Sequence, residues 1–336
     1  MAVTIKDVAK DTNLSLATIS KYLNGKNISV QNQRKIKKSI HKLGYTPSKT
    51  AQLLRARKST TICVFAPSIG DHYWGSIFRY IEEYFRSCGY STIILSYDTY
   101  SRNYQDSLNL LMSSHVAGVI LIPFMEKKSS VHHILRDSNI PFVCLDQQLD
   151  DMDTDIVTST NFQSAYDATM YLINRGHRRL GVLSGENFSY TSKERLRGFY
   201  EACNDSDILS DNICQVDNLS HKPENAQSFC QTLSHQNEPI AILGLRYDIS
   251  INFLSHLSDT NLSIPTDVSL ISFDDDMVFS AYPSPITVII QDHKNLSLKA
   301  SELLRERING NSSLPLQTIK LPTKLVERQS VATITP

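Results

Sequence analysis

The sequence predicts two unlike parts: an all-α head of three short helices, and an α/β body built as two doubly wound parallel-sheet lobes. Three observations carry this prediction. The first 58 residues hold thirteen lysines and arginines against two acids, whereas the rest of the 336-residue chain holds twenty-one against thirty-two. The basic residues of the head alternate with apolar residues at helical spacing. The body repeats short apolar runs separated by amphipathic stretches, a pattern typical of βαβ units.

Capping and breaking residues delimit the three helices of the head. Thr4, followed three residues later by Asp7, is typical of a capping box at a helix start. Ser15 can cap a second helix, and a third is expected to begin after Ser29 and to end at Gly44. Two short helices joined by a short turn and braced by a third predict a helix-turn-helix.

The second helix of a helix-turn-helix enters the major groove of DNA. Lys21 can donate to a guanine edge, while Leu16 and Ala17 offer apolar contact to thymine methyl groups. The alternative is a solvated three-helix module that binds protein, but a net charge of +11 over this short stretch favours DNA. The remaining predicted contacts of this region, to phosphates or to the groove, are Thr4, Ser15, Thr18, Ser20 and Asn24.

Two stretches of the head form a long and specific pattern, TIKDVAKDTNLSLATISKYLNG and ISVQNQRKIKKSIHKLGYTPSKTAQLL. They resemble the LacI/GalR family of bacterial transcription regulators, and the resemblance continues over essentially the whole chain. It implies that Leu16, Ala17 and Lys21 occupy specificity positions in the major groove, with Lys21 in place of a common arginine. It also implies hinge contacts to the DNA backbone or minor groove from Tyr45, Ser48 (in place of a usual asparagine), Ala51 and Leu54. Leu54 aligns with the leucine that wedges into a central base step.

The hinge, residues 47–59, is short and rich in basic residues. A lone helix of this length is marginal in water, so the hinge is expected to fold when two copies lie side by side on DNA. The predicted domains are therefore a DNA-binding domain at 1–46, this hinge, and an effector-binding and dimerisation domain at 60–336. Within the last, lobe one is expected at about 60–160 and 290–325, and lobe two at about 161–289.

Two series of apolar runs define the lobes of the body. The first is TICVFAPS, STIILSYD, VAGVILIPF and PFVCLD, and the second is IVTST, RRLGVLSGE, AILGL and VSLISFDD, with ITVIIQD after it. The family resemblance implies a periplasmic-binding-protein-like core for these lobes. Ligands of such sheets lie at the carboxyl ends of the strands, so we expect a binding site in the cleft between the lobes.

The resemblance also implies which residues would contact an effector. The segment SFDDDMVFSAYPSPITVIIQD makes Asp274 the effector carboxylate, and TSKERLRGF makes Arg195 a second contact. The place of Asp274-Asp275-Asp276 just after a strand separately favours one carboxylate facing the cleft, with at least one of the three merely solvated. A helix-face ion pair with Glu194 or a nearby aspartate is the alternative for Arg195, and a core position is the alternative for Trp74. The chain departs from the family by losing an arginine after Asp146 and an amide at Tyr247. The predicted effector contacts are Tyr73, Trp74, Asp146, Arg195, Tyr247, Asp248, Asp274 and His293.

These features predict a cytoplasmic, sequence-specific DNA-binding transcriptional regulator, a repressor of carbohydrate-related genes that acts as a homodimer on a pseudo-palindromic operator. A sugar or sugar derivative between the lobes is the expected effector. No cofactor, metal site, membrane contact or enzymatic activity is predicted, since phosphate loops, nucleophile elbows and metal-ligand spacings do not occur. Three alternatives stay open. They are a sugar-binding receptor without regulatory DNA binding, a sugar hydrolase using Asp274 and Asp146, and a regulator controlled by a protein partner.

Overall fold

A computed structural model describes most of the chain. The described residues are 3–23, 27–45, 59–67, 72–97, 103–123, 131–148, 153–185, 189–217, 219, 222, 224–235, 238–311 and 314–334. The chain divides into two compact units, Met1–Ser59 and Thr60–Pro336. No helix in the described ranges combines the length and the apolar character that a membrane crossing needs.

The head contains three helices, α1 (Ile5–Thr12), α2 (Leu16–Leu23) and α3 (Val30–Leu43). Each contributes one fully buried side chain to a small core, namely Val8, Ile19 and Ile36. The predicted caps are present at both ends of the motif. The Asp7 carboxylate accepts from the Thr4 backbone N–H at 2.8 Å, and Gly44 closes α3 with a left-handed φ of 64°. The predicted helix-turn-helix head is confirmed.

The body begins with five strands and three helices. They are β1 (Thr61–Ala66), α4 (His72–Ser87), β2 (Ser91–Ser96), α5 (Asn103–Ser113), β3 (Gly118–Leu121), α6 (Val131–Asp137), β4 (Phe142–Leu145) and β5 (Asp155–Ser159). A second series follows. It consists of α7 (Asn161–Asn174), β6 (Leu180–Leu183), α8 (Tyr190–Asp205), β7 (Ile213–Val216), α9 (Glu224–Ser234), β8 (Ile240–Gly244), α10 (Tyr247–Leu257), β9 (Val268–Phe273), α11 (Met277–Ala281) and β10 (Thr287–Ile290). The chain continues through α12 (His293–Ile308), β11 (Thr318–Leu321) and β12 (Lys324–Val326).

The strands form two six-stranded sheets with the same order. The first runs β11-β5-β4-β3-β1-β2 and the second β12-β10-β9-β8-β6-β7, and every pairing is parallel except that of β12 with β10. Apolar clusters cover both faces of each sheet, as buried parallel sheets require. The predicted pair of doubly wound parallel sheets is confirmed. We call the part around the first sheet lobe one and the part around the second lobe two.

The chain crosses between the lobes at three described places: after β5, after β10 and between β11 and β12. After the second crossing, α12 packs on lobe one, where Leu296, Ala300 and Leu304 join the same apolar cluster as Ile77 of α4. Lobe one is therefore assembled from two distant stretches of the sequence, with the strands of lobe two between them.

A buried ion pair fixes the far end of α12 to lobe one. Asp155, fully buried at the start of β5, accepts from Arg307 Nε at 2.7 Å and Nη2 at 2.9 Å. The same carboxylate accepts from the Gln317 backbone N–H at 2.9 Å, and Arg307 Nη1 donates to the Leu314 carbonyl at 2.7 Å. The pair thus joins the helix, the strand and the segment that leads into β11.

In lobe two, α7 and α8 pack against each other without room for a side chain at Gly198. A Cβ atom at this position would lie 2.2 Å from the Phe162 carbonyl oxygen. Because the two helices approach so closely, residues near the start of α7 can contact side chains that project from the first turns of α8. This contact places Asn161 and Arg195 together.

Candidate functional site

Helix α2 presents three of the predicted major-groove residues to solvent. Leu16 is 42% exposed, and Ala17 and Lys21 are also exposed, whereas Ile19 on the opposite side is fully buried. Thr18 and Ser20 are half-buried beside this surface. The face that would meet DNA is therefore available, and the predicted major-groove contacts remain predictions.

Other predicted DNA contacts have structural partners in the head. The Ser15 hydroxyl accepts from the Thr18 backbone N–H at 3.2 Å, which caps α2, and the Thr4 hydroxyl donates to Asp7 at 2.7 Å. Tyr45 packs against the core of the head. The predicted contacts that lie outside the described residues are Asn24, Ser48, Ala51 and Leu54.

Both acids of the head are engaged by its own groups. Asp7 receives hydrogen bonds from Thr4, which lower the pKa of its carboxyl below the usual value. Asp11 forms an ion pair with Lys42 at 2.7 Å. The excess lysines and arginines of the head therefore dominate its field, which suits contact with phosphates.

The candidate effector site lies at the carboxyl ends of the strands in the body. Asp146 follows β4 directly, and Asp274 follows β9, the strand in the equivalent place of the second sheet. Both residues have left-handed backbone, with φ of 68° and 65°. The Asp146 N–H donates to the Val157 carbonyl at 2.8 Å, and the Asp274 N–H donates to the Ile289 carbonyl at 2.9 Å. Residues other than glycine seldom adopt this backbone conformation, and it is frequent at functional sites.

Arg195 brings a buried positive charge to this site from α8. Its guanidinium is almost fully buried, and Nη1 lies 3.9 Å from Asp274 Oδ2. Nε donates to Asn161 Oδ1 at 2.8 Å, and Nη1 donates to the Leu245 carbonyl at 2.7 Å. The guanidinium carbon Cζ lies 4.0 Å from the centroid of the Phe273 ring. The alternative of a helix-face pair with Glu194 is wrong, because Glu194 pairs with Arg197.

Asp146 is buried among polar and charged groups. Tyr73 donates its hydroxyl to Oδ1 at 3.1 Å, and the Gln147 amide donates to Oδ2 at 3.4 Å. Burial raises the pKa of Asp146 to about 6; the Arg195 charge opposes this rise, and the Asp274 charge adds to it. Burial and the two carboxylates raise the pKa of Tyr73 well above its ordinary value, so Tyr73 stays a neutral donor.

Aromatic rings line the same region. The ring centroids of Trp74 and His293 each lie 4.7 Å from that of Tyr73, both edge-on, and Trp74 also stacks on Phe78 at 6.1 Å. Trp74 therefore has a packing role in lobe one besides its predicted ligand contact. Tyr247 packs against the apolar cores of both lobes. These rings could contact one flat face of a ligand.

The structure does not bring every predicted contact into this cluster. Asp248 forms an ion pair with Arg246, two residues earlier, with Nε donating to Oδ1 at 2.9 Å. Asp275 pairs with Arg328, and Asp276 caps α11 by accepting from the Val278 N–H at 2.9 Å. The expectation that at least one acid of Asp274-Asp275-Asp276 would be merely solvated is therefore wrong, since each carboxylate has its own structural partner.

Buried amides and hydroxyls connect the charged residues, and none of them was among the predicted contacts. Gln147 donates to Thr191 Oγ1 at 2.8 Å, which joins lobe one to the start of α8. Ser159 donates to Gln291 Oε1 at 2.6 Å, and Gln291 donates to Asp274 Oδ1 at 2.7 Å. One sequence signal could have found them, because Gln291 directly follows an apolar strand segment, as Asp146 and Asp274 do, and Gln147 comes one residue after Asp146.

Asp146→Asn should stabilise the body at pH 7.5 by on the order of 3 kcal/mol, since each pKa unit is worth about 1.4 kcal/mol. The pKa of Asp146 is raised from 3.8 to about 6, so its ionised form favours the unfolded chain. The stability that this group contributes is present below about pH 4 and is lost as the pH rises through 6. Urea unfolding at pH 7.5 and pH 5 should show a gain that shrinks at the lower pH. The variant leaves unchanged the groups that face Asp146, which are Tyr73, Gln147, Arg195, Asp274 and, beside Tyr73, His293.

Asp248→Asn is the matched control, because its carboxylate is partly exposed and paired with Arg246 outside the cluster. An equal gain at both pH values for Asp146→Asn would contradict the assignment of its charge as the destabilising group.

Among the described residues, no group of three or more histidine, cysteine, aspartate or glutamate side chains is placed to hold a metal ion. The candidate site is a buried polar cluster of two carboxylates and one guanidinium, with aromatic rings beside it.

Comparison with known proteins finds a family match in each of the two units. Residues 4–48 match the family model described as bacterial regulatory proteins, lacI family, and residues 169–331 match the periplasmic binding protein-like domain. A relative from Pasteurella multocida, the HTH-type transcriptional repressor PurR, is 27% identical over 329 residues, which cover 98% of each chain.

Solved structures share the fold. The Lac repressor dimer bound to operator and the anti-inducer ONPF aligns with a TM-score of 0.85 at 22% identity, covering 99% of this chain and 100% of that one. A LacI family regulator from Enterococcus faecium with bound ribose aligns with a TM-score of 0.72 at 22% identity, covering 82% of this chain and 100% of that one.

Proposed function

Since the chain belongs to the LacI family of bacterial regulatory proteins and is a DNA-binding transcriptional repressor rather than an enzyme, we propose that a small molecule held between its two lobes sets its affinity for operator DNA. The observation that carries the proposal is the buried cluster to which both lobes contribute. Asp146 belongs to lobe one, whereas Arg195 and Asp274 belong to lobe two.

A ligand that contacts both lobes binds most tightly to one relative orientation of them. Its binding therefore shifts the population toward that orientation, and any DNA affinity that depends on the orientation changes with it. Coupling of this kind typically amounts to about 1–3 kcal/mol. The ligand contacts that we propose are Tyr73, Trp74, Asp146, Arg195, Tyr247, Asp274 and His293.

The target genes are proposed to be purine-related rather than generally carbohydrate-related. The relative from Pasteurella multocida carries the name PurR, and this favours purine-related genes. The ribose in the Enterococcus faecium regulator keeps a sugar as the second candidate for the effector. Purines and sugars both present hydroxyl or amino donors, which suit a site with two carboxylates.

A homodimer on a pseudo-palindromic operator is the proposed DNA-bound form. Support comes from the fold neighbour described as a dimer bound to operator. The protein is then expected in the bacterial cytoplasm, where its operator would be. Leu16, Ala17 and Lys21 are proposed to contact bases, and the other head residues to contact phosphates or the groove.

Lys21→Ala should weaken operator binding by about 1–3 kcal/mol and relax base preference at one position of each half-site. Lys21 is exposed on α2, so the substitution should leave the head folded. Binding to the preferred operator and to single-base variants, measured at fixed salt, would show the change. Lys10→Ala on α1 removes the same charge and should weaken binding to all sequences alike; the same uniform loss for Lys21→Ala would show that Lys21 reads no base.

The function as a whole is tested by selecting random duplex DNA on the purified protein at near-physiological salt, with and without purines and sugars. Enrichment of a palindrome that responds to one compound would support the proposal. A receptor without regulatory DNA binding would enrich no motif under any condition. A palindrome that no compound affects would favour control by a protein partner.

A further inference from the structure

We propose that Arg328 is a positioning residue of the effector site: its guanidinium fixes the turn that carries Asp274, and the affinity for the effector depends on that support. The Arg328 side chain pairs with Asp275 rather than with Asp274, so it acts through this neighbour. The inference rests on the proposed effector function of the cleft, where Asp274 is a ligand contact. It concerns how that contact is held in place.

The turn after β9 holds Asp274 in an uncommon backbone conformation. Its φ of 65° lies in the left-handed region, which is unfavourable for a residue with a Cβ atom. Such a conformation persists only where the surrounding structure enforces it. The Asp274 backbone N–H donates to the Ile289 carbonyl at 2.9 Å, which holds one side of the turn. The residues that follow Asp274 hold the other side.

The two acids after Asp274 anchor the turn in different directions. Asp276 accepts from the Val278 backbone N–H at 2.9 Å and thereby caps α11. Asp275 accepts from both ends of the Arg328 guanidinium, from Nη1 to Oδ1 at 2.9 Å and from Nη2 to Oδ2 at 2.6 Å. Two parallel hydrogen bonds between a guanidinium and a carboxylate fix direction as well as distance. Arg328 therefore restrains the residue next to Asp274 from a position far along the chain.

Arg328 is itself held by its surroundings. Its backbone N–H donates to Thr287 Oγ1 at 3.0 Å, and Nη1 also donates to the Ile286 carbonyl at 3.0 Å. Ile286 and Thr287 are both fully buried where β10 begins. The side chain of Arg328 is 18% exposed and that of Asp275 31%. The guanidinium is thus the fixed end of the pair, and the turn is the end that moves if the pair is lost.

The segment around Arg328 has anchors that do not involve its side chain. The hydroxyl of the fully buried Ser330 accepts from the Thr287 backbone N–H at 2.8 Å and donates to the Leu270 carbonyl at 2.5 Å. A substitution of the Arg328 side chain should therefore leave the segment in place beside β9 and β10. What the substitution removes is the pair of hydrogen bonds to Asp275.

The alternative is that this partly buried ion pair only adds stability to lobe two. That role predicts a lower midpoint of urea unfolding and no particular effect at Asp274. A positioning role predicts a local change at the turn. It also predicts weaker ligand binding, because the ligand then binds only the fraction of molecules in which the turn is correctly placed.

Arg328→Gln in the full-length protein tests the inference first without any ligand. Glutamine keeps a polar side chain but has no guanidinium to form the paired hydrogen bonds. Hydrogen exchange followed by mass spectrometry should show exchange faster by about 10-fold or more in peptides that contain Asp274, because the turn opens more often. Peptides from β6 and β8 should keep their wild-type rates. Unchanged exchange at Asp274, or equal acceleration in all these strands, would overturn the inference.

The second measurement is the ligand concentration that half-saturates the site. Wild type and Arg328→Gln would be titrated with hypoxanthine, guanine and D-ribose, using calorimetry and the fluorescence of Trp74, the single tryptophan. A probe that binds the wild type should half-saturate the variant at a concentration higher by about 10-fold or more. The change in operator affinity at saturation should equal that of the wild type, since bound ligand restores the turn. An unchanged half-saturating concentration would contradict a positioning role.

The other partner of the pair gives an independent check. Asp275→Asn should reproduce both effects of Arg328→Gln, and the double variant should be no worse than either single variant. Additive effects would show that the two side chains act separately, against the inference. Arg175→Ala is the matched control, because it breaks an exposed ion pair with Glu327, the residue before Arg328. It should change neither measurement, and an effect as large as that of Arg328→Gln would count against a specific role of the Asp275 pair.

Failure of this inference is distinguishable from failure of the proposed function. If no probe binds the wild type or changes its operator affinity, the proposed effector function fails for these compounds, and the exchange rates still decide whether Arg328 holds the Asp274 turn. If a probe binds and regulates both proteins at the same half-saturating concentration, the proposed function stands and the inference is refuted.

Discussion

Replacing Arg195 with leucine should abolish the effector response and destabilise the body by about 3–5 kcal/mol at neutral pH, the usual result of removing one partner from a buried charge cluster. The substitution leaves Asp146 and Asp274 buried with no guanidinium between them, and it leaves the Leu245 carbonyl and Asn161 without their donor. The expected readouts are a lower midpoint of urea unfolding and the loss of any ligand effect on operator binding.

The loss should depend on pH in a defined direction. Arg195 lowers the pKa of Asp146, so without it that pKa should rise above about 6. A raised carboxyl pKa means stability that is present at low pH and lost as the pH rises. The deficit of the variant relative to the wild type should therefore be larger at pH 7.5 than at pH 5.

Two further variants sharpen this experiment. Arg197→Ala removes an arginine from the same helix, but its pair with Glu194 is exposed and should be worth no more than about 1 kcal/mol. Adding Asp274→Asn to Arg195→Leu should restore part of the stability, since it removes one uncompensated charge. A deficit that is equal at both pH values, or no larger than that of Arg197→Ala, would argue against a charge-based role.

Arg307→Ala should destabilise the body by a similar amount, about 3–5 kcal/mol, because it leaves the fully buried Asp155 without its cation. The loss should appear in the midpoint of urea unfolding, and Asp155→Asn in the same chain should recover part of it. Ligand selectivity should be unchanged in the folded protein, since this ion pair lies outside the cluster around Asp146.

Lys299→Ala is the matched control on the same helix. Lys299 pairs with Glu302 on the surface, with both side chains nearly half exposed, so its loss should cost less than about 1 kcal/mol. Similar shifts for the two variants would mean that the burial of Asp155 carries little energetic weight.

The sequence was sufficient for the architecture because its signals there are local. Capping residues and helical spacing define the head, and apolar runs at regular intervals define the strands. Asp146 and Asp274 could be predicted for the same reason, since each comes directly after a strand. Arg195 came from the family resemblance, because nothing in its neighbourhood distinguishes it from Arg197, two positions later in the same helix.

The polar network could not be predicted in this way. Asn161, Arg195 and Gln291 are far apart in the sequence, and only the close packing of α7 on α8 and the crossings between the lobes bring them to one place. The prediction that Asp248 belongs to this cluster fails for the opposite reason. Its partner is two residues away, and no pattern indicates that the Arg246 side chain turns back to pair with it.

The interleaving of the two lobes has a consequence for how the protein is made. Lobe one needs α12 and β11, so it cannot close until residue 321 has left the ribosome, although its first strand is synthesised some 260 residues earlier. The basic head needs only its own three helices and can fold as soon as it emerges. During translation a folded basic head is thus attached to a body whose apolar surfaces are still uncovered, an intermediate that is prone to aggregation.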